Sequence, residues 1–334
     1  MIGIRRWQNP LAAFGKIWLP VLLVCAFHIS CSDDAPPLRV DLSVREEVNV
    51  RIDPQAVTFA YLPQFSHTVS FQRYNPLIRY LEGATGRPFR QVFPDTFDEH
   101  MRMVGQGKID ISFSNPFVYV KIAGQYGAKA FARVVEADGN EFFRGEIICR
   151  SDNRTVRDLD DVRGKRWIAV DPGSAGGYLF PLGHFLRNGI RPGHFTEIAF
   201  APGPGGKQEK VVLAVHAGQF DIGTIREGTL QVVADKIDLS EIRVISRTPW
   251  YPGWVFSAGT RLDPNFVAVV RDAFTTLDPA DAGDREILDA ARIIRIIPAA
   301  DADFDPVRSL LSEVGITSES AGVFGDEEAL EGVD

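Results

Sequence analysis

The stretch RWIAVDPGSAGGY, residues 166–178, indicates how this chain folds. Its first part, 166–170, predicts a buried strand, and the DPG that follows predicts a tight turn. Ser174 then begins a helix that we expect to run to Asn188 and to end at Gly189. A strand followed directly by a turn and a helix is the unit from which α/β folds with parallel sheets are built.

The same alternation of short apolar runs and amphipathic segments occurs along the rest of the chain. Further strands are predicted at 57–62, from residue 92, at 109–113 and at 220–225. Further helices are predicted from an Asn75 N-cap, with Pro76 in the first helical position, to Gly83, and over 96–104 and 207–217. This pattern predicts two α/β lobes. Ligands bind at the carboxyl ends of parallel strands, so we expect the site at the turns after residues 62, 113, 170 and 225.

The turn within 171–178 also has the features of an anion site. The amide groups of Ala175, Gly176 and Gly177 would have no intrahelical acceptor, and the positive end of the helix dipole would lie beside them. A second interpretation is that the proline and the glycines only form a tight turn. The spacing alone does not separate the two interpretations.

Composition excludes several classes of function. The 334 residues include 45% apolar and 24% charged side chains, which is typical of a globular protein of about two domains. The net charge of −8 and the lack of a basic stripe argue against a nucleic-acid partner. The histidines show no metal-ligand spacing, and the run at 203–207 lacks the spacing of a Walker loop. We therefore predict no metal, no cofactor and no enzymatic activity.

The first thirty residues have the pattern of an export signal. A basic start is followed by the apolar run 17–27, which is too short to span a bilayer, and then by the small Ser30. We predict a signal peptide over 1–30. Its removal takes away three positive charges and leaves 33 basic and 44 acidic residues, so any anion must be bound by local geometry.

Cys31 directly follows the predicted cleavage point, and the stretch around it resembles the lipobox of bacterial lipoproteins. His28 departs from that pattern, because a leucine is usual at its position. We predict lipidation of Cys31, a tether over 31–55 and a location in the periplasm, held to the membrane through the N-terminal lipid. Plain secretion is the alternative. Cys149 is then left without a partner for a disulfide.

Five segments share their order and spacing with one protein family. They are YNPLIRYLEGATG (74–86), GKIDISFSNPFVY (107–119), LDDVRGKRWIAVDPGSAGGY (159–178), VVLAVHAGQFDIGTI (211–225) and PAADADFDPVRSLLSEVG (298–315). Together they resemble the periplasmic phosphate/phosphite/phosphonate-binding proteins, which are the substrate-binding components of phosphonate-type ABC transporters. The resemblance covers roughly residues 56–316.

This resemblance implies a type II periplasmic-binding-protein fold, in which two α/β lobes joined by hinge strands close on a ligand. The crossovers would fall near 149–152 and 243–248. The implied parts are 56–150 and 246–316 for the first lobe, 151–245 for the second lobe and 317–334 for a C-terminal tail.

The resemblance also implies a set of ligand-binding residues. They are Tyr61, Ser114, Asn115, Ser174, Ala175, Gly176, Gly177, Tyr178, Arg226 and Glu227. Compared with the family's hydroxyl-rich loop, this chain loses two side-chain hydroxyls but keeps the backbone donors, and Gln208 stands where histidine is common. Arg226 can form a bidentate pair with an oxyanion, or else a salt bridge to Glu227 or Asp171.

Two functions are compatible with this resemblance. The first is capture of a small oxyanion, namely phosphate, phosphite or a phosphonate, for an ABC permease. The alternative is a ligand-binding partner of a periplasmic sensor histidine kinase, because TIREGTL (224–230) and TPWYPGWVFSA (248–258) look like the sensor-associated branch, some of which senses arsenite through a cysteine. Cys149 is the candidate for that, although its apolar strand favours a buried structural cysteine. We expect compact oxyanions to bind better than aminoethylphosphonate, unless Glu227 faces the cleft and pairs with its ammonium group.

Overall fold

The computed structural model describes residues 53, 55–136 and 139–317. The strands are β1 (Val57–Tyr61), β2 (Phe89–Gln91), β3 (Ile111–Ser114), β4 (Lys129–Glu136), β5 (Phe142–Phe143), β6 (Gly145–Arg150), β7 (Arg166–Ala169), β8 (Glu197–Phe200), β9 (Ile222–Arg226), β10 (Ile242–Arg247), β11 (Tyr251–Pro252), β12 (Val255–Ala258) and β13 (Ile293–Pro298). The α-helices are α1 (His67–Thr85), α2 (Phe97–Gly105), α3 (Pro116–Tyr126), α4 (Phe180–Arg187), α5 (Lys207–His216), α6 (Thr229–Val232), α7 (Pro264–Thr276), α8 (Ala282–Ala291) and α9 (Asp305–Glu313).

Several predictions fall on the parts of the chain before residue 53 and after residue 317. The signal peptide, the lipidated Cys31, nearly all of the tether and nearly all of the C-terminal tail lie outside the described residues. Among the helices that the structure describes, none has the length and apolar character needed to cross a bilayer.

The strands form two mixed sheets. The first has the order β13-β4-β12-β3-β1-β2, and the second has the order β10-β6-β9-β7-β8. The predicted βαβ units give the parallel pairs: β1 lies parallel to β2 and β3, and β7 lies parallel to β8 and β9. The antiparallel strands β12 and β6 were not expected, because a strand that pairs with distant parts of the chain leaves no local signal of its direction.

The chain passes between the two sheets twice, between β4 and β6 and again between β10 and β12. The short strands β5 and β11 lie at these crossings and pair with each other, with Tyr251 opposite Phe143. The crossing points therefore differ from the expected ones near 149–152 and 243–248. Strand β6 is buried and pairs with both β9 and β10, so it belongs entirely to the second lobe. We call the part that carries the first sheet the first lobe and residues 145–247 the second lobe.

Helix α1 begins nine residues before the expected start. Its N-cap is Ser66, whose side chain accepts the N–H of Val69, and Pro76 lies inside the helix. The helix ends at Gly86, which adopts the left-handed conformation (φ 67°) and donates its N–H to the carbonyl of Glu82. The predicted N-cap at Asn75 is wrong because Ser66 supplies the N-cap nine residues earlier in the sequence. The longer helix places residue 73 within a helix rather than in a loop.

The predicted helix that starts after Ser174 begins as a π-helical turn, Ala175–Leu179, and continues as α4. Leu179 donates its N–H to the carbonyl of Ser174 at 2.9 Å, which is the i to i+5 pattern of a π-helix. Close packing sets this shape. A Cβ atom on Gly177 would lie only 2.3 Å from Val170 Cγ2.

The cores of the two lobes are built on the two sheets. The first sheet packs against the buried faces of α1 and α3, where Leu77 and Phe117 are almost fully buried. The second sheet has apolar clusters around Trp167 and around Val211. Both sheets therefore have rigid interiors, and their strand ends are held in fixed positions around the space between the lobes.

Candidate functional site

A cavity of about 320 Å³ lies between the two lobes. Its walls come from strand ends of both sheets: Phe65 follows β1, Phe113 lies near the end of β3, Val170 follows β7 and Arg226 ends β9. These are the four turns at which the sequence predicted a binding site. They come together because neighbouring parallel strands end at one edge of a sheet.

Basic side chains from both lobes line this cavity. They are Arg73 on α1, Lys207 at the start of α5, Arg226 at the end of β9 and Arg292 directly after α8. Lys207 Nζ lies 2.5 Å from Asp171 Oδ2. Within the described part of the chain, Arg73 and Arg292 form no ion pair with a carboxylate. Arg73 instead lies over the ring of Phe65, 4.2 Å from its centroid.

Two of these arginines reach Tyr74 from opposite lobes. Burial raises the pKa of the Tyr74 hydroxyl, and the positive charges of Arg73 and Arg226 oppose that rise. Burial also lowers the pKa of Arg226 to about 10, and the charge of Arg73 acts in the same direction. Arg226 therefore keeps its positive charge at neutral pH, and the charges of the two arginines repel each other. An anion between them would be stabilised.

Arg226 is paired with Glu136, which ends β4 in the first lobe. The sequence named Glu227 or Asp171 as the alternative partner, and neither is used. Asp171 is paired with Lys207, and the carboxylate of Glu227 faces away from Arg226 toward a different cation. The pair to Glu136 therefore joins the two lobes.

Three carboxylates line the cavity, and each is already paired with a cation. Glu136 pairs with Arg226, Glu209 with Lys236 at 2.5 Å and Glu227 with Arg144 through two hydrogen bonds of 2.7 and 3.0 Å. The charges of these carboxylates are thus compensated locally. Glu227 thus lines the cavity, but a ligand's ammonium group would have to compete with Arg144 for its carboxylate.

Ser174 contributes to the cavity wall at the start of the π-helical turn. The Ser174 hydroxyl accepts the N–H of Gly177 at 3.1 Å. The amide of Gly177, which the sequence predicted as a donor to an anion, is therefore already used within the turn. The amides of Ala175 and Gly176 come before the first intrahelical bond of the turn. The positive end of the helix formed by the turn and α4 therefore lies beside the cavity.

Of the remaining predicted site residues, three lie at the strand ends of the first lobe. Tyr61 is stacked on Tyr74 with a centroid distance of 4.4 Å and hydrogen-bonds through its hydroxyl to Gln91, so Tyr74 rather than Tyr61 lines the cavity. Ser114 is completely buried, and its hydroxyl has no hydrogen-bond partner among the described residues. Asn115 is the N-cap of α3, and its Oδ1 accepts the N–H of Val118 at 3.0 Å.

The other predicted residues of the 174–178 turn pack beside the cavity. A Cβ atom on Gly176 would lie 3.0 Å from the ring of Phe143 and 3.2 Å from Arg226 Cβ. Tyr178 points into the core of the second lobe, where its ring stacks on Trp167, and burial raises its pKa. From the predicted set, the cavity lining thus includes Ser174, Arg226 and Glu227.

The sequence analysis missed Arg73, Lys207, Arg292 and Trp254 as residues of this site. Lys207 stands next to Gln208 at a predicted helix start, so its position gave a usable signal. The other three reach the cavity only through tertiary packing. Arg292 is the clearest case, because it is a non-glycine residue with a left-handed conformation (φ 55°) directly after α8.

Two hydrogen bonds join the lobes beside the cavity, in addition to the ion pair of Arg226. Asn115 Nδ2 in the first lobe donates to the carbonyl of Gly173 at 3.0 Å. The N–H of Gly206 in the second lobe donates to the carbonyl of Gln64 at 3.1 Å. The structure therefore has the two lobes in direct contact around the cavity.

Cys149, the candidate for arsenite capture, lies in the interior of the second lobe. It is fully buried, its Sγ lies 3.9 Å from the carbonyl of Val156, and burial raises its pKa. Within the described residues, no three His, Cys, Asp or Glu side chains converge as metal ligands. The position of Cys149 favours the interpretation as a structural cysteine.

Comparisons with known proteins identify the relatives of this chain. The family model of the periplasmic substrate-binding protein of phosphonate ABC transporters matches residues 59–304. The phosphate-import protein PhnD of Mycolicibacterium smegmatis is 27% identical over 279 residues, which cover 78% of this chain and 87% of that protein.

Two solved structures have a similar fold. A binding-protein component of a phosphonate ABC transporter from Pseudomonas aeruginosa is 20% identical and has a TM-score of 0.67, and the match covers 84% of this chain and 93% of that one. PhnD1 from Prochlorococcus marinus, solved with methylphosphonate, is 15% identical with a TM-score of 0.68, covering 79% and 99%. The predicted type II periplasmic-binding-protein fold is confirmed.

The family model spans most of the chain and includes both sheets and the cavity between them. The family consists of transport proteins that bind a substrate in the periplasm. This chain belongs to the periplasmic substrate-binding proteins of phosphonate-type ABC transporters.

Proposed function

We propose that the protein captures a small phosphorus oxyanion, namely phosphate, phosphite or a phosphonate, in the cavity between its lobes. One observation carries the proposal: Arg73 and Arg226 reach the same cavity from opposite lobes, and a helix start lies beside them. A doubly charged oxyanion offers acceptors to both guanidinium groups and reduces their repulsion. The relatives support this ligand class, since one imports phosphate and another was solved with methylphosphonate.

Capture in a cleft couples binding to closure of the lobes. An anion that contacts both arginines interacts better with the closed arrangement than with an open one, so it shifts the equilibrium toward the closed arrangement. The two cross-lobe hydrogen bonds and the ion pair to Glu136 add to that preference. We propose that the closed, loaded protein then docks on an ABC permease, and that it catalyses no reaction itself.

The N-terminal sequence supports a further part of the proposal. We propose that the signal peptide is removed before Cys31 and that a lipid on this cysteine holds the protein at the membrane on the periplasmic side. Release of the protein from membranes by Cys31→Ala would support this, and membrane retention of that variant would contradict it. The family and the relatives favour transport over a role as partner of a sensor kinase.

Isothermal titration calorimetry with phosphate, phosphite, methylphosphonate and sulfate tests the function. We expect at least one phosphorus oxyanion to bind, and Arg73→Gln to weaken its binding by roughly tenfold or more, because a hydrogen bond to a charged group is lost. Arg79→Gln is the matched control, since Arg79 lies on the same helix but is exposed and pairs with Glu82. The proposal is wrong if no phosphorus oxyanion binds, or if both variants behave alike.

A further inference from the structure

The cavity is larger than a bare oxyanion requires. Its volume of about 320 Å³ corresponds to about ten water molecules at roughly 30 Å³ each. A tetrahedral oxyanion with four oxygens displaces roughly four of them. Much of the cavity is then left for another part of the ligand.

Besides its charged and polar groups, the cavity has a large apolar part of its wall. The apolar lining includes Phe65, Phe97, Phe113, Val134, Val170 and Trp254. Phe113 lies at the centre of an aromatic group, because its ring centroid is 5.3 Å from that of Trp254 and 5.7 Å from that of Tyr74. We call Tyr74, Phe113 and Trp254 the aromatic wall. Such a wall gains free energy when an apolar group replaces water against it.

The carboxylates of the cavity do not offer a place for a ligand cation. Each of Glu136, Glu209 and Glu227 is held by a basic side chain of the protein. A ligand ammonium group would have to displace one of these partners or give up its hydration without gaining a carboxylate, and a cation–π contact with the aromatic wall offsets only part of that cost. The lining thus favours an uncharged substituent.

We infer that the preferred ligand is an organic phosphonate whose substituent is apolar and uncharged, with its phosphonate group between Arg73 and Arg226 and its substituent against the aromatic wall. This inference rests on the proposed function and adds the substrate class to it. It goes beyond our expectation that compact oxyanions bind better than aminoethylphosphonate.

Calorimetry with four phosphonates tests the inference: methylphosphonate, phenylphosphonate, propylphosphonate and 2-aminoethylphosphonate, with inorganic phosphate as the reference. We expect phenylphosphonate to bind about 30-fold more tightly than methylphosphonate, which equals about 2 kcal/mol and corresponds to burial of about half of the added ring. Propylphosphonate and 2-aminoethylphosphonate have the same number of heavy atoms. We expect the propyl compound to bind more tightly than the aminoethyl compound.

A variant locates the substituent. Trp254→Leu should reduce the preference for phenylphosphonate over methylphosphonate from about 30-fold to less than about fivefold, because part of the aromatic wall is lost. The ratio of the two affinities measured on one sample does not depend on the folded fraction.

The outcomes separate this inference from the proposed function. If phosphate or methylphosphonate binds as tightly as phenylphosphonate, the inference is wrong and the proposed function stands. A preference for aminoethylphosphonate over propylphosphonate would overturn the uncharged substituent. An unchanged ratio in Trp254→Leu would overturn its position against the aromatic wall. If neither phosphate nor any phosphonate binds, the proposed function itself fails.

Discussion

The hydrogen bond from Asn115 to Gly173 should control how readily the cleft closes on its ligand. Asn115 Oδ1 accepts the N–H of Val118, so the amide nitrogen must face the carbonyl of Gly173, 3.0 Å away in the other lobe. In Asn115→Asp the cap of α3 is kept, because a carboxylate oxygen can also accept from Val118. The second carboxylate oxygen then faces the carbonyl of Gly173, and no hydrogen bond between the lobes can form.

The size of the effect follows from this geometry. Loss of the bond removes about 1 kcal/mol in both Asn115→Asp and Asn115→Ser, and in Asn115→Asp the unpaired carboxylate oxygen facing the carbonyl of Gly173 costs about 1–2 kcal/mol more. Since 1.4 kcal/mol is a factor of ten, Asn115→Asp should weaken binding of the tightest phosphonate by roughly 30- to 100-fold. Asn115→Ser keeps a cap but cannot reach Gly173 and places no charge there. It should weaken binding only about fivefold.

Calorimetry gives both affinities, and small-angle scattering at saturating ligand reports how far each variant closes. We expect the order wild type, Asn115→Ser, Asn115→Asp for both the affinity and the degree of compaction. Equal affinity of Asn115→Asp and the wild type would refute the reasoning, because the cross-lobe bond would then contribute nothing to the ligand-bound state.

Three further predictions concern stability. Burial lowers the pKa of His100 from 6.5 to about 3, so between these pH values the unfolded chain binds a proton at His100 that the folded chain does not. The free energy of unfolding should therefore fall as the pH drops from 6.5 toward 3. Urea unfolding of His100→Gln should show a smaller fall over the same pH range. Gly177→Ala should lower the free energy of unfolding by about 2–3 kcal/mol through its clash with Val170, whereas Gly83→Ala, with no atom within 4 Å, should raise it by about 0.5–1 kcal/mol. The thiol of Cys149 should react with a thiol reagent only on unfolding, and reaction at the native rate of an exposed thiol would contradict its burial.

Local patterns in the sequence were sufficient for much of the fold. The strand, turn and helix at 166–187 and the predicted turns at strand ends depend on neighbouring residues, and these turns lie around the cavity between the lobes. The cap of α1 was placed too late because both Ser66 and Asn75 have the chemistry of an N-cap, and only packing against the first sheet selects Ser66. Because of that error Arg73, which reaches the cavity from within the helix, was not predicted to line it.

Local sequence patterns could not predict contacts between residues that are far apart in the chain. The partner of Arg226 is Glu136, far away in the sequence and in the other lobe, whereas the sequence offered the nearer Glu227. The hinge was misplaced for the same reason, because β6 and β10 look like connecting strands until the pairing of β6 with β9 and of β10 with β6 is known. The volume and the aromatic wall of the cavity likewise result from how the lobes pack.

The position of β12 has a consequence for how the protein is made. In the first sheet this strand lies between β3 and β4, with Val255 opposite both Ser114 and Arg133. When residues up to 136 have emerged from the ribosome or from an export channel, the strand that joins β3 to β4 is still more than a hundred residues away. The second lobe is continuous in sequence and can complete its sheet before the first lobe does. Until β12 arrives, β3 and β4 present unpaired edges, which are open to wrong pairing with another chain during that interval.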